Sequence, residues 1–236
     1  MSHVDDVVSA RGANARWTSL YESLKAAILA HSLGPGTKLP EDELADVYAV
    51  SRTVVRAALQ ALSHDKLVQL EPNRGAFVAK PTRREAKEIF EARSMIEPQV
   101  AAMAAAVAKP SDIRTLRKHL EEEHRAVHED RQGNALRLSA RFHEAIAEIT
   151  GQSILTEFVR TLCSRSALII SLYAKHQETL CESRAHAALV DAIAARDSLG
   201  ASELMSSHLA DLLSGIELSD REPRPVSLSE ILKPHL

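Results

Sequence analysis

The chain has 236 residues, 45% of them hydrophobic, 26% charged and 3% aromatic, with only 8 glycines and 9 prolines. That balance excludes a disordered chain, and the shortage of aromatic residues beside abundant Ala, Leu and Glu favours helices over a large β-sandwich or barrel. No uncharged apolar run reaches the ~18 residues of a membrane span, the N-terminus has no basic stretch leading into an apolar one, and Cys163 and Cys181 make no disulfide framework, so the expectation is a soluble, cytoplasmic protein. The net charge of −3 is unevenly spread: Arg11 to Arg84 hold 11 basic and 7 acidic residues, whereas the part after Arg84 holds 18 and 23. A basic segment followed by an acidic one points to two parts with different partners.

Residues 1 to about 15 are small and polar without a period and read as a disordered arm. A first helix is expected from about Trp17 to Ala30, with Leu20, Leu24, Ala27 and Ile28 spaced for one buried face. Gly34, Pro35 and Gly36 stop it. A short helix over Glu41–Tyr48 opens with three acids that suit its N-terminal dipole; Ala49-Val50 then turns the chain, and Ser51 caps a helix from Arg52 to about His64. Apolar residues alternate through LVQLEPNRGAFVAK around Pro72–Gly75, the pattern of a hairpin. Three helices and a two-stranded wing over residues 16–81 make a winged helix-turn-helix. Val54, Val55, Ala58, Leu59 and Leu62 form the inner face of its third helix, leaving Ser51, Arg52, Thr53 and Arg56 near the exposed N-terminal end. Paired arginines at i,i+4 on such an end suit a major groove, where each can bind guanine bidentately or hold a phosphate.

Beyond Pro81 the pattern is helix after helix, at about Arg83–Lys109 with Pro98 inside it, Ser111–Arg131, Asn134–Thr150, Ser153–His176, Glu178–Arg196 and Ala201–Leu213. Residues 82–217 are therefore expected as an all-α bundle of about six helices, and 218–236 as a proline-rich tail. The fold class is mainly α.

The stretch GPGTKLPEDELADVYAVSRTVVRAALQALSHDKLVQLEPNRGAFV resembles the N-terminal domain of GntR-type bacterial transcription regulators, with its PG-x-x-L turn, its V-S-R-T-x-V-R-x-A-L recognition helix and its R-G-x-x-V wing. The resemblance implies that Arg52, Thr53 and Arg56 contact operator DNA and that Arg74 and Gly75 at the wing tip approach the minor groove or backbone. Val54 stands where Pro is commonest, and Asp42 where some members carry a DNA-contacting Arg.

In the second part, an antiparallel hairpin turning near Ser198 would bring His186 and His208 to one level, twelve residues before the turn and ten after. His143, between Phe142 and Ile146 on an apolar face, can supply a third nitrogen, and three imidazoles suffice for a divalent ion such as zinc, nickel or manganese. Satisfied core histidines are the plainer reading. Residues from about 85 to 215 resemble the helical FCD effector domain of the FadR subfamily, through Arg93 and Glu97, Phe142-His143, His186 with Ala192-Ile193 and Asp197, and His208-Leu209. That resemblance implies a divalent metal on one Asp and three His, with a small carboxylate effector above it. Here Ser139 occupies the expected Asp position, four residues before His143. Arg93, Arg165 and Arg137 are the candidates for gripping the effector. His124 and His128 read as a solvated face, and Cys163 and Cys181 as small hydrophobes. The whole reads as a homodimeric, ligand-responsive transcription regulator, more a repressor than an activator, and not an enzyme. The alternatives are a metal-free sensor of organic acids and a three-histidine metallohydrolase, the latter lacking an evident general base because Glu144 points about 100° away from His143.

Overall fold

A computed structural model describes residues 2–30, 32–129, 131–174 and 183–218. Among them are nine helices and one three-stranded sheet: α1 (Ser2–Leu29), β1 (Lys38–Leu39), α2 (Glu41–Tyr48), α3 (Arg52–His64), β2 (Val68–Glu71), β3 (Gly75–Val78), α4 (Arg83–Val107), α5 (Pro110–His128), α6 (Gln132–Ile149), α7 (Ser153–Tyr173), α8 (Ser183–Ala194) and α9 (Ser198–Ser214). The fold is a winged helix-turn-helix followed by an all-helical bundle. Cys181, the expected junction between the last long helices, and the expected tail lie outside the described residues, apart from residue 218.

α1 differs from expectation at its start, since it runs back through residues 2–15 where an arm was expected. One glycine and no proline interrupt that stretch, so nothing in it stops a helix from propagating. Leu20, Leu24 and Ile28 form the buried stripe. Gly36, at φ 82°, turns the chain, and its N–H donates to the Val78 carbonyl at 2.9 Å. The chain then enters β1, a strand too short to show a period in the sequence. The wing is consequently three-stranded rather than two-stranded, in the order β1-β3-β2, all antiparallel, with Leu39 opposite Ala76 and Val68 opposite Val78.

In the bundle, α4 runs on unbroken through Pro98 and packs along α9, while α5 rests on α6 and α8. Val100, Ala104, Leu116, Phe142, Ile146 and Leu189 are among its core residues. α4 begins with a full capping box: the Thr82 hydroxyl accepts from the Glu85 N–H, and the Glu85 carboxylate accepts from the Thr82 N–H.

The two parts share packing. Ala167 and Leu168 of α7 lie in the core formed by α1, α3 and the wing. The Tyr173 hydroxyl donates to the Pro81 carbonyl at 2.9 Å, tying α7 to the segment that leaves the wing. The closest approach is at Gly133 in the first turn of α6, where a Cβ would lie 1.6 Å from the Ala30 carbonyl oxygen at the end of α1. Only glycine fits there. Gly133→Ala is expected to destabilise the protein by about 1–3 kcal/mol, the usual range for overpacking. Urea unfolding measures it, and an unchanged midpoint would contradict the close approach.

Candidate functional site

Two regions gather the residues singled out in the sequence. The first is the exposed end of α3. Ala49 adopts the left-handed conformation that ends α2, and the Ser51 side chain accepts from the Val54 N–H at 3.4 Å to start α3. Val55, Ala58, Leu59 and Leu62 are buried. Arg52, Thr53 and Arg56 are exposed, as the amphipathic period requires. Both arginines are held by acids of the first turn of α2: Arg52 Nε donates to Asp42 Oδ1 at 2.6 Å, and Arg56 Nε to Glu41 Oε2 at 2.7 Å. With more than 60% of each arginine exposed, such pairs are worth under about 1 kcal/mol, so they orient the guanidiniums without preventing exchange for a nucleic-acid partner. At the wing tip Arg74 pairs with Glu71 and lies over the Phe77 ring at 5.4 Å. Gly75 turns at φ 101°, a conformation that side-chain-bearing residues rarely adopt.

The second region is the centre of the bundle. His143 comes from α6, His186 from α8 and His208 from α9, and all three are buried. Their Nε2 atoms converge: His186 to His208 is 3.1 Å, and His208 to His143 is 3.3 Å. The face of Phe142 stacks on His186 at 4.3 Å and closes one side.

Two of the three outer nitrogens have a carboxylate partner. His143 Nδ1 donates to Glu97 Oε2 at 2.6 Å, and His186 Nδ1 to Glu123 Oε2 at 3.0 Å. Those bonds place the proton on Nδ1 and leave the Nε2 lone pairs facing inward, the tautomer a metal requires. The Nε2 lone pairs of His143 and His186 face inward, and His208, whose Nδ1 has no partner among the described residues, brings the third Nε2 against them. An ideal tetrahedral site with metal–nitrogen bonds of about 2.05 Å has nitrogen–nitrogen edges of about 3.3 Å, close to the distances found. The donor set therefore fits a divalent metal. Glu97, His143 and Cys163 form a second close group, but Glu97 and His143 are already committed to each other.

Behind His143 the Glu97 carboxylate is buried and is gripped by Arg93, with Nε to Oε1 at 2.5 Å and Nη2 to Oε2 at 3.3 Å. Burial disfavours its charge, yet Arg93 and His143 outweigh burial and hold the carboxyl well below the usual range. Burial pushes the His143 and His208 imidazoles down; for His208, repulsion from His186, His143 and Arg93 adds to it.

The sequence candidates fall on different sides of these helices. Arg93 and Ser139 line one small cavity with His143. Arg165 does not reach it. Cys163 and Ser166 face that cavity from α7, so Arg165, about 100° of helix from Ser166, is turned towards Glu85 at the start of α4, at 3.4 Å. Arg137, two residues before Ser139 and so on the opposite side of α6, bonds to the Asn134 amide instead. His124 and His128 face each other at 2.8 Å on the exposed side of α5. Glu144 is bound by Arg141 and Arg160 and is not placed to act as a base at the histidines. Glu123 escaped notice within the acidic run EEEHR. Its signal was its register: it falls three residues after Leu120 and seven after Leu116, on the inward face of α5.

Comparison with known proteins gives the family. The FCD domain profile matches residues 88–211. The profile for bacterial regulatory proteins of the gntR family matches residues 17–78. The chain belongs to the GntR family, with an FCD domain as its helical part, and that is a family of DNA-binding transcription regulators rather than enzymes. It is similar to the HTH-type transcriptional repressor RspR of Escherichia coli (strain K12), 25% identical over 200 residues that cover 84% of this chain and 87% of RspR. It is also similar to the HTH-type transcriptional regulator YdhC of Bacillus subtilis (strain 168), 27% identical over 135 residues, 57% of this chain and 60% of that one. A GntR structure from Rhodococcus sp. RHA1 shares the fold, with a TM-score of 0.73 at 24% identity over 86% of this chain and 100% of that one. No described helix is long and apolar enough to cross a membrane.

The buried histidines set a pH dependence. Folded, His143 and His208 bind protons less readily than they do unfolded, where an imidazole titrates near pH 6.5. Below that value the unfolded chain takes up protons that the folded chain refuses, so acid favours unfolding. Metal-free protein is expected to lose stability between about pH 7.5 and about pH 5.5. Urea midpoints at the two values check this; a midpoint that does not fall would contradict neutral buried histidines.

Proposed function

We propose that this regulator is a homodimeric, cytoplasmic repressor whose hold on operator DNA is controlled by a small carboxylate effector bound beside a divalent metal on His143, His186 and His208. The observation that carries the reading is the convergence of three buried Nε2 atoms, two of them with a carboxylate behind the imidazole. When bound, the metal would supply a Lewis-acidic seat for a carboxylate oxygen. Arg93 would orient the effector from the same side, because its guanidinium lines the cavity that His143 and Ser139 share.

That cavity measures only about 10 Å³, close to what one water needs. A carboxylate enters it only if α6 and α7 separate, and α7 also packs into the winged domain through Ala167 and Leu168. Effector binding and the placement of the reading head are thereby linked, with a coupling of the usual 1–3 kcal/mol. In a dimer the two heads would read two half-sites of a palindrome, and their spacing is what the effector would alter. RspR, a repressor by its name, is consistent with this direction of control.

Two measurements test the two halves. Arg52→Ala and Arg56→Ala are each expected to cost about 1–3 kcal/mol of operator affinity while leaving the circular dichroism unchanged. Full affinity in a gel shift against the promoter fragment selected by the wild-type protein would remove them from the interface. For the metal, elemental analysis of protein purified without chelators should give about one ion per chain. Glu123→Gln should weaken zinc binding by about 10–100-fold, the usual cost of losing a carboxylate behind a histidine ligand. Ser139→Asp should strengthen it by restoring an inner carboxylate. A metal-free protein that takes up none on reconstitution would overturn the metal half alone.

A further inference from the structure

A cavity much larger than the one at the histidines adjoins the bundle. It measures about 540 Å³ and lies between α1 of the winged domain and helices α6 and α7 of the bundle. A neighbouring cavity of about 430 Å³ shares Tyr21, Lys25, Arg160 and Ser164 with it, so the two form one cleft along the junction. That volume is of the size small ligands occupy.

Four cations line the larger cavity: Lys25 from α1, Arg137 and Arg141 from α6, and Arg160 from α7. Glu22 and Glu144 oppose them there, and Asp65 and Glu157 line the adjoining cavity. The cations are not equally compensated. Arg141 and Arg160 converge on Glu144 and Glu148 and are neutralised there. Arg137 is half-buried and bonds to the neutral amide of Asn134 at 2.8 Å; no carboxylate pairs with it among the described residues. Lys25 keeps only 17% of its side chain exposed, and its contact with Asp65 is a long 3.8 Å, because the Tyr21 hydroxyl already occupies the same carboxylate oxygen. A half-buried guanidinium without a counter-ion and a poorly matched ammonium, on facing walls of one cleft, are what an anion would satisfy.

We infer that this junction is a binding site for a small compound carrying two or more carboxylate or phosphate groups, held between Lys25 on the DNA-reading side and Arg137 on the sensing side. It is separate from the histidine centre. Arg137 and Ser139 point to opposite sides of α6, and the side chain of Cys163, with Ala140, stands between the cleft and the inner cavity. An anion in the cleft bridges the two domains directly, so it fixes their relative orientation without entering the bundle core. This inference does not rest on a metal at the histidines.

The test is isothermal titration of the metal-stripped full-length protein with succinate, citrate and pyrophosphate in a buffer without anionic oxyacids. At least one probe is expected to bind with a Kd of about 1 mM or tighter. The carboxylates and pyrophosphate separate the two ligand chemistries. Lys25→Ala combined with Arg137→Ala should weaken binding by at least about tenfold, whereas His143→Ala should leave it unchanged. Unfolding midpoints of both variants show that each is folded, and Lys25→Met with Arg137→Met, which keeps the apolar stems, repeats the charge test if the alanine pair is not. Failure of all three probes, binding that survives the loss of both cations, or binding abolished by His143→Ala would each overturn the assignment.

Discussion

The buried carboxylate of Glu97 is the group around which the helical domain is organised. With 1% of its surface exposed it keeps a charge only because Arg93 grips both of its oxygens and His143 donates to one of them. Removing one partner of such a buried ion pair typically costs about 3–5 kcal/mol, since the remaining charge has no water to turn to. From Glu97 a single polar string crosses the bundle. Arg93 and Glu97 belong to α4, and Arg93 also donates to Ser166 of α7 at 3.0 Å. The string continues through His143 of α6, His208 of α9 and His186 of α8, and ends at Glu123 of α5. All six helices of the bundle place at least one side chain on it. An apolar core tolerates sliding of one helix past another. A string of hydrogen bonds that needs every member in place does not, and so the string sets the register in which the helices meet.

The same string places carboxylates behind a cluster of three histidines that lacks an inner one. Ser139 brings no charge to the position where an aspartate is expected. Glu97 and Glu123 bring two, one atom shell further out, each through an imidazole it orients. Carboxylates behind histidines raise the basicity of the ligand nitrogen and lock its tautomer. Arg93 cancels part of the charge of Glu97, which leaves Glu123 as the less compensated acid. One oxygen of Glu123, Oε1, is buried with no hydrogen-bond partner among the described residues.

What the sequence disclosed and what it withheld follow from how local each signal is. α2 and α3 were legible to the residue because the acids at 41–43, the Ser51 cap and the apolar period of Val55, Ala58, Leu59 and Leu62 all act within one or two turns. The three histidines could be matched because helix rise converts sequence distance into height. β1 was missed because two residues carry no period. Arg165 and Arg137 do not line the cavity beside the histidines, for a different reason. An arginine long enough to reach a pocket says nothing of which side of the helix it leaves, and that side is fixed by the tertiary neighbours of α6 and α7. Glu123 was hidden by its company, the last of three glutamates in a row, although its spacing from Leu116 and Leu120 marks it as inward.

α7 touches both parts of the molecule and presents different residues to each. Cys163 and Ser166 face Arg93 and the inner cavity, while Ala167 and Leu168 are packed into the winged core. Successive residues on a helix cannot move independently. A displacement that makes room for a ligand beside Arg93 therefore carries Leu168 with it, and a well-packed winged core answers by moving as a body rather than by deforming. Gly133 closes the other end of the junction, where the backbone of α6 touches the last turn of α1 without a side chain between them. Backbone contact at one end and side-chain packing at the other flank the open cleft, so the winged domain meets the bundle through α6 and α7.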